Sequence, residues 1–327
     1  MKKSMFRGFI FTSLLVLFFS TSAFSAQFRL LSAWAPNYIF NVGVLTNFEK
    51  NLTEISGGKM KFSVLGPDVV PTFEQFQPVQ AGIFDLAYTY SAYHSGTTPI
   101  AIGMDATTAD PTLRRDAGLF DFVDKEYNKL GVKLISFPPL TPYHFVSRNA
   151  LNGNKPSLQG MKLRSIPSLQ SLIMKLGGSP VTMAGGEIYT SLQRGVIDGA
   201  PWTQVGVKDF KLNEVADYLV SPEFGYVSTM IFMNLRKYNS LTPEQRQWLD
   251  EAGRKTELDS LEFFNKLIEE EIAYLKDQGM KITHMHPEDA AMIEKYWNDG
   301  LWEMAKASTG ATGRKFHELA LETGMTK

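Results

Sequence analysis

The side chains that could do chemistry are few in this chain. Its 327 residues include five histidines and no cysteine, so thiolate nucleophiles, disulfides and cysteine metal sites are excluded. The sequence also lacks a Gly-x-Ser-x-Gly elbow, a His-Glu-x-x-His helix, a Walker loop and a Rossmann glycine fingerprint. His284 and His286 could share a metal, but without a third ligand nearby a polar loop is the favoured interpretation. These residues therefore predict neither catalysis nor a cofactor.

Arg164 is the residue best suited to bind a ligand. Residues 161–164 read MKLR, and strand alternation places Lys162 and Arg164 on the face opposite Met161 and Leu163. The planar guanidinium of arginine can bind a carboxylate with two parallel hydrogen bonds. By spacing alone, a solvated or structurally paired arginine is the more common outcome. The strand pattern therefore leaves both interpretations open.

An α/β alternation along the chain would position this arginine. Strand-like runs at 28–31 and 61–65 flank a helical pattern at 41–53, and a longer helical pattern follows at 112–130. The alternation breaks at Pro138-Pro139, and a second series begins at Tyr143. Two α/β series separated by a proline pair predict two lobes.

A long helix should follow both series. Thr242, Pro243 and Gln245 form a capping box with proline at the first helical position. If Gly253 is tolerated, the next stop is Gly279, which gives a helix of ~37 residues or ~55 Å at 1.5 Å per residue. No strict heptad is sustained, so a coiled coil is disfavoured, and a kink at Gly253 is the other alternative. We predict one helix that runs across both lobes.

The N-terminus has the pattern of a signal peptide. Lys2, Lys3 and Arg7 precede an apolar run at 9–19 and a small-x-small sequence at 23–25. The apolar run is shorter than the ~20 residues of a membrane-spanning helix, which disfavours an uncleaved anchor. If these three basic residues are excluded, the chain has 30 lysine and arginine residues and 34 aspartate and glutamate residues. The resulting net charge of −4 does not favour binding to nucleic acid. We predict a periplasmic protein whose mature chain does not insert into a membrane.

Three spaced blocks resemble the signature of the DctP-type substrate-binding proteins of TRAP transporters. They are LQGMKLR at 158–164, LGGSPV at 176–181 and EIYTSLQRGVIDG at 187–199. The resemblance implies two α/β lobes of the periplasmic binding protein fold, joined by crossing strands and a long helix. It also implies capture of an organic acid and its delivery to an integral-membrane permease, without catalysis.

The domain division that follows has three parts. Residues 1–25 form the signal peptide. Lobe I comprises 26–140 with 229–265, and lobe II comprises 141–228 with 266–327.

The same resemblance implies a ligand site. Arg164 occupies the position of the family's carboxylate-binding arginine. The resemblance therefore favours ligand binding over a solvated or structurally paired arginine, which spacing alone favoured. Trp202 matches a position from which family members send an aromatic or amide side chain into the pocket. Tyr90 and Trp34 fall where the first lobe contacts the ligand.

The chain departs from the family pattern at two places. Tyr143 and His144 lie on the crossing strand where some members carry a second arginine, so a dicarboxylate held by two arginines is not expected. Ala200 and Pro201 stand where metal-assisted members often have an acidic ligand, so we predict no bound cation. One fixed positive charge among aromatic side chains suits a monocarboxylate with hydroxyl, keto or ring substituents. At least one of the aromatic candidates, His144 included, should be core packing instead.

Two other functions stay open from the sequence. A sensory binding protein would present the same kind of ligand to a membrane receptor. A periplasmic enzyme acting on an organic acid would use His144 as base, with Tyr90 or Tyr143 as partner, but the missing catalytic motifs argue against it.

Overall fold

The computed structural model describes residues 26–326, so the predicted signal peptide at 1–25 lies outside the described residues. Within them, the strands are β1 (Ala26–Ser32), β2 (Met60–Leu65), β3 (Leu86–Thr89), β4 (Val132–Ser136), β5 (Tyr143–Ser147), β6 (Lys162–Ser165), β7 (Ser179–Thr182), β8 (Gly199–Thr203), β9 (Tyr218–Phe224), β10 (Met230–Asn234) and β11 (Lys281–His284). The α-helices are α1 (Thr46–Ser56), α2 (Phe76–Gln80), α3 (Pro111–Asp116), α4 (Leu119–Lys129), α5 (Gln170–Lys175), α6 (Ile188–Gln193), α7 (Leu235–Asn239), α8 (Pro243–Asp277), α9 (Pro287–Thr309) and α10 (Ala311–Glu322).

The strands form two separate sheets, which define the two lobes. The first lobe contains the sheet β2-β1-β3-β10-β4, in which β1 runs parallel to β2 and β3 while β10 runs antiparallel to β3 and β4. The second lobe contains the sheet β11-β9-β5-β8-β6-β7, in which β5 runs antiparallel to β8 and β9. The chain passes from the first sheet to the second after β4 and returns before β10. The predicted two-lobed α/β fold with crossing strands is confirmed.

Helix α8 runs along both lobes as one element. Thr242 and Gln245 form the capping box around Pro243, and the helix continues for 35 residues to Asp277. It packs on α1 and β4 of the first lobe, and its far end reaches the second lobe, where Glu271 accepts hydrogen bonds from the backbone after β8. The predicted long helix is confirmed. None of the helices within residues 26–326 combines the length and the apolar character that crossing a bilayer requires.

Gly253 lies inside this helix because β4 comes too close for a side chain. A Cβ atom at this position would lie 2.2 Å from the carbonyl oxygen of Ile135. The neighbouring Ser136 hydroxyl donates a 2.8 Å hydrogen bond to the carbonyl oxygen of Gly253. Gly253 therefore does not kink α8, and instead allows the helix to pack closely on the first sheet.

The helix predicted over 112–130 is divided into α3 and α4. Gly118 has a φ of 74°, in the left-handed region, and so ends one helix and precedes the next. Asp110 caps α3 by accepting from the backbone nitrogen of Leu113 at 2.9 Å. The apolar periodicity continues across the break, which is why the pattern alone predicts a single helix.

The C-terminal helices contact elements beside both sheets. Helix α9 packs on α5 of the second lobe and on the 3-10 segment Ile100–Ala106 of the first, and α10 packs on α9 and α4. Phe316 of α10 stacks on Phe122 of α4 with ring centres 5.0 Å apart. The boundaries predicted for lobe I and lobe II stay a prediction.

Candidate ligand-binding site

An enclosed cavity lies between the two lobes, at the carboxyl ends of β1 and β3. Its volume is about 20 Å³. The lining residues are Trp34, Phe40, Tyr90, Tyr93, Tyr143, Arg164, Ile166, Trp202, Thr203, Val227 and Thr229. Five of the six residues predicted from the sequence are therefore brought together, from segments far apart in the chain. This volume is far below the roughly 300–1,000 Å³ typical of ligand pockets, so the lobes are closed tightly here and must move apart to admit an organic acid.

Arg164 supplies a positive charge to this cavity. Its side chain is 1% exposed, and no ion pair among the described residues includes it. Its Nε atom donates a long 3.3 Å hydrogen bond to the carbonyl oxygen of Met183, while Nη2 is buried with no partner in the described part of the chain. A buried guanidinium without a counter-ion is costly unless a ligand pairs with it. The cavity is therefore suited electrostatically to an anion.

The aromatic wall provides apolar area and three hydroxyl groups. Trp34 packs against Tyr93 with ring centres 6.0 Å apart, and Tyr90 contacts Tyr93 edge to face at 5.6 Å. Burial raises the pKa values of Tyr90, Tyr93 and Tyr143, so all three stay protonated. The Arg164 charge partly offsets this effect on the pKa of Tyr93, whose hydroxyl lies beside it. These hydroxyls can donate to or accept from a polar ligand.

Trp202 closes the cavity from the second lobe. The guanidinium carbon of Arg164 lies 5.2 Å from the centre of its ring, a cation–π contact that also orients the arginine. Its indole nitrogen donates a 2.9 Å hydrogen bond to the hydroxyl of Tyr38 in the first lobe. Phe40 lies parallel to the same ring, with centres 6.4 Å apart. The residue that flanks the arginine therefore also joins the lobes.

A second polar contact joins the lobes near this tryptophan. The backbone nitrogen of Ile39 donates a 3.1 Å hydrogen bond to Asp209. Tyr90 and Ser168, one from each lobe, place their hydroxyl oxygens 3.3 Å apart. These contacts belong to a conformation in which the lobes are closed on the cavity.

His144 is not brought to the cavity. Its side chain is buried in the second sheet, opposite Trp202 in the β5–β8 register, and it is absent from the lining. Nε2 is buried without a partner among residues 26–326. Burial lowers the pKa of His144 to about 4, so the ring is neutral at pH 7. A ligand contact by His144 stays a prediction, and this geometry does not favour it.

Other cavities are more open to the surface than this one. A larger one, of about 670 Å³, is lined in part by Phe73, Phe76 and His94. The His94 ring is already paired, because its Nε2 lies 2.7 Å from the hydroxyl of Tyr127. Within residues 26–326, no group of three or more histidine, aspartate or glutamate side chains could hold a metal ion. The cavity of Arg164 is therefore the candidate site.

The sequence profile described as bacterial extracellular solute-binding protein, family 7, the DctP family, matches residues 32–306. The chain belongs to this family. A monocarboxylate 2-oxoacid-binding periplasmic protein of Nostoc sp. is 27% identical over 281 residues, which cover 79% of this chain and 74% of that protein. The family assignment makes the chain an extracytoplasmic solute-binding protein of the TRAP type.

Two solved structures show the same fold as this DctP-family chain. A TRAP periplasmic solute-binding protein from Desulfovibrio salexigens with bound orotic acid superposes with a TM-score of 0.80 at 19% identity, covering 91% of this chain and 98% of that chain. A Bordetella pertussis extracytoplasmic solute receptor binding pyroglutamic acid gives a TM-score of 0.78 at 16% identity, covering 90% and 99%. The two-lobed architecture is thus retained at low sequence identity.

Sequence reasoning on this DctP-family chain missed about half of the lining. The residues it missed are Phe40, Tyr93, Ile166, Thr203, Val227 and Thr229. Tyr93 lies in the 3-10 segment Ser91–His94, directly after the extended residue Tyr90, and no periodicity in the sequence marks it. Val227 and Thr229 belong to a crossing segment with no motif of its own, and the fold alone places them here.

Proposed function

We propose that this protein captures a small organic monocarboxylate in the periplasm and delivers it to an integral-membrane TRAP permease. The ligand carboxylate pairs with Arg164, and a hydroxyl, keto or ring substituent contacts the tyrosine hydroxyls and Trp202. The observation that carries the proposal is the guanidinium of Arg164, which is 1% exposed and has a buried Nη2 without a partner in the described part of the chain. A carboxylate has two acceptor oxygens, spaced so that they can accept two parallel hydrogen bonds from that guanidinium.

The known ligands of the similar proteins support this choice. The Nostoc protein is named for 2-oxoacids, and the two superposed structures bind orotic acid and pyroglutamic acid. Each of these ligands is an organic acid.

Lobe closure is the step that a permease would recognise. A carboxylate that docks on Arg164 lets Trp202 and Tyr38 meet across the cleft and excludes water from the ion pair, which strengthens it as the local dielectric falls. A ligand shifts the population toward the closed form by as much as its affinity differs between the two forms. The permease would therefore distinguish the ligand-bound protein from the empty one by the closed conformation.

Native mass spectrometry of gently purified protein, followed by a thermal-shift screen of mono- and dicarboxylic acids, identifies the ligand class. Isothermal titration calorimetry with the best acid then compares Arg164→Ala with Arg194→Ala, an exposed arginine of the same lobe. We expect Arg164→Ala to weaken binding by roughly 2–5 kcal/mol, because the buried carboxylate is left unpaired. Arg194→Ala should bind as the wild type does. Unchanged affinity in Arg164→Ala would overturn the proposal.

A further inference from the structure

A second buried charge lies against the wall of the cavity. Asp105, in the 3-10 segment Ile100–Ala106, is 2% exposed. Its Oδ1 accepts a 2.9 Å hydrogen bond from the backbone nitrogen of Ser228, which lies between the lining residues Val227 and Thr229. Its Oδ2 is buried and has no hydrogen-bond partner in the described range. The carboxyl is thus attached to the cavity wall with one oxygen unsatisfied.

The cation that acts on Asp105 is Arg114, but the two side chains do not form a salt bridge. Arg114 is 1% exposed and donates a 2.8 Å hydrogen bond to the hydroxyl of Ser228, so one serine separates the two groups. No salt bridge within residues 26–326 includes either side chain. The Asp105 charge is therefore only partly compensated, and its field extends into the surrounding wall.

The tyrosines of the wall respond to both buried charges of the site. Asp105 raises the pKa values of Tyr90 and Tyr143, adding to the effect of burial, whereas Arg164 acts in the opposite direction on Tyr143. Tyr143 therefore lies within reach of a positive and a negative charge. The cavity is polarised, with Arg164 attracting a carboxylate and Asp105 repelling one.

We propose that Asp105 is a specificity residue of this cavity, whose negative charge behind Tyr90 and Tyr143 rejects a second carboxylate on the ligand. The inference rests on the proposed function, in which Arg164 binds one carboxylate. Like charges interact strongly where water is excluded, and a second ligand carboxylate near Asp105 would have no cation to pair with. A hydroxyl or ring N–H at that end carries no such penalty. The site thus selects monocarboxylates by repulsion as well as by the number of its arginines.

The rejection should depend on pH. Burial raises the pKa of Asp105 to about 7, although the charge of Arg114, the Tyr90 hydroxyl and the hydrogen bonds of Ser228 lower it. The other groups that face Asp105 are the hydroxyls of Tyr90 and Tyr143. Glu294 of α9 lines with it a second cavity of about 350 Å³, which also contains Tyr226. Protonation removes the negative charge, so the affinity for a dicarboxylate should rise as the pH falls from 8 to 6.5, while that for a monocarboxylate changes little.

Pairs of acids that differ by a single carboxylate test the proposed role of Asp105 directly. Lactate and malate differ by one hydrogen replaced by a carboxylate, as do 2-oxobutyrate and 2-oxoglutarate. Calorimetry at pH 6.5 and 8 compares both pairs on the wild type, on Asp105→Asn and on Asp116→Asn, an exposed carboxyl at the end of α3. We expect Asp105→Asn to raise the affinity for the dicarboxylate relative to its partner by roughly tenfold or more at pH 8 and to abolish the pH dependence. Asp116→Asn should keep the wild-type ratio.

The outcomes separate the two proposals. Monocarboxylate binding that depends on Arg164, with the same ratio and pH profile in Asp105→Asn as in the wild type, would overturn the role of Asp105 alone. Failure of the wild type to bind any of the monocarboxylates through Arg164 would overturn the proposed function as well. The wild-type pH profile needs no variant, so a flat dicarboxylate affinity between pH 6.5 and 8 also counts against Asp105, even if Asp105→Asn does not fold.

Discussion

The indole nitrogen of Trp202 and the hydroxyl of Tyr38 form a 2.9 Å hydrogen bond between the second lobe and the first. Trp202 is also the ring beneath the Arg164 guanidinium, so this bond joins the ligand cavity to the interface between the lobes. Both side chains are almost fully buried in the closed conformation. The bond can form only when the lobes are closed, which makes it a contribution to closure rather than to the stability of either lobe.

Removing the Tyr38 hydroxyl should therefore weaken ligand binding. We expect Tyr38→Phe to lower affinity by about 1 kcal/mol, or roughly fivefold, since one hydrogen bond of the closed form is lost and the indole N–H is left unpaired. Isothermal titration calorimetry measures the change. Tyr218→Phe, on β9 away from the cavity, should bind as the wild type does, and an equal loss in both variants would contradict a role in closure.

Gly206 is placed where a side chain would block the same contact. Its φ is 112°, and a Cβ atom would lie 2.3 Å from the Tyr38 hydroxyl oxygen. Gly206→Ala should weaken binding by at least roughly tenfold and shift small-angle scattering in the presence of ligand toward an open form. Gly186→Ala, where a Cβ has no neighbour within 4 Å, is the matched control.

The clash at Gly206 can be tested by combining the two changes. The hydroxyl oxygen of Tyr38 is the atom closest to the added Cβ, and the adjacent ring carbon lies 3.2 Å away. Tyr38→Phe should therefore restore part of the affinity that Gly206→Ala loses, so the double variant should bind better than the sum of the single effects predicts. Additive losses would show that the positive φ alone causes the defect.

Gly253→Ala tests the close packing of α8 on β4. Alanine is favoured over glycine in a helix by about 1 kcal/mol, but its Cβ would approach the Ile135 carbonyl oxygen to 2.2 Å. We expect a net loss of roughly 1–3 kcal/mol in the free energy of unfolding, measured with urea, because backbone must move on one side or the other. A stabilised variant would mean that the helix can shift away from the sheet at little cost.

His144 should make the protein sensitive to acid. Burial lowers its pKa from 6.5 to about 4, so the unfolded chain binds the proton more readily than the folded one. Stability is therefore lost as the pH falls from 6.5 toward 4, by about 2 kcal/mol between pH 7.5 and pH 5. We expect His144→Met to lose less stability than the wild type over that interval, as measured by urea unfolding at both pH values.

The exposed His284 provides the control for this prediction, and His284→Gln should keep the wild-type pH dependence. Asp105 contributes in the opposite sense, because its raised pKa means that stability falls as the pH rises through 7, and it is present in all three proteins. Its contribution therefore cancels in the comparison. Equal pH dependence in His144→Met and the wild type would show that His144 is accessible to solvent when protonated.

Local sequence signals determined the elements of this protein. The cap formed by Thr242, Pro243 and Gln245 acts within one helical turn, and it placed the start of α8 correctly. The alternation at 161–164 placed Leu163 in the core and Lys162 at the surface. The family resemblance, rather than spacing along the strands, pointed to Arg164 and to four more residues of the cavity lining.

Tertiary structure alone decided the electrostatics of the site. Whether Arg164 has a counter-ion depends on every acidic residue that the fold brings near it, and spacing along the strand carries no such information. The same holds for Asp105, which reaches the cavity wall through Ser228, 123 residues away in the chain. Burial and pairing are properties of contacts between distant segments. The sequence could therefore predict which residues can bind a carboxylate, and the fold determined which charges are left without partners.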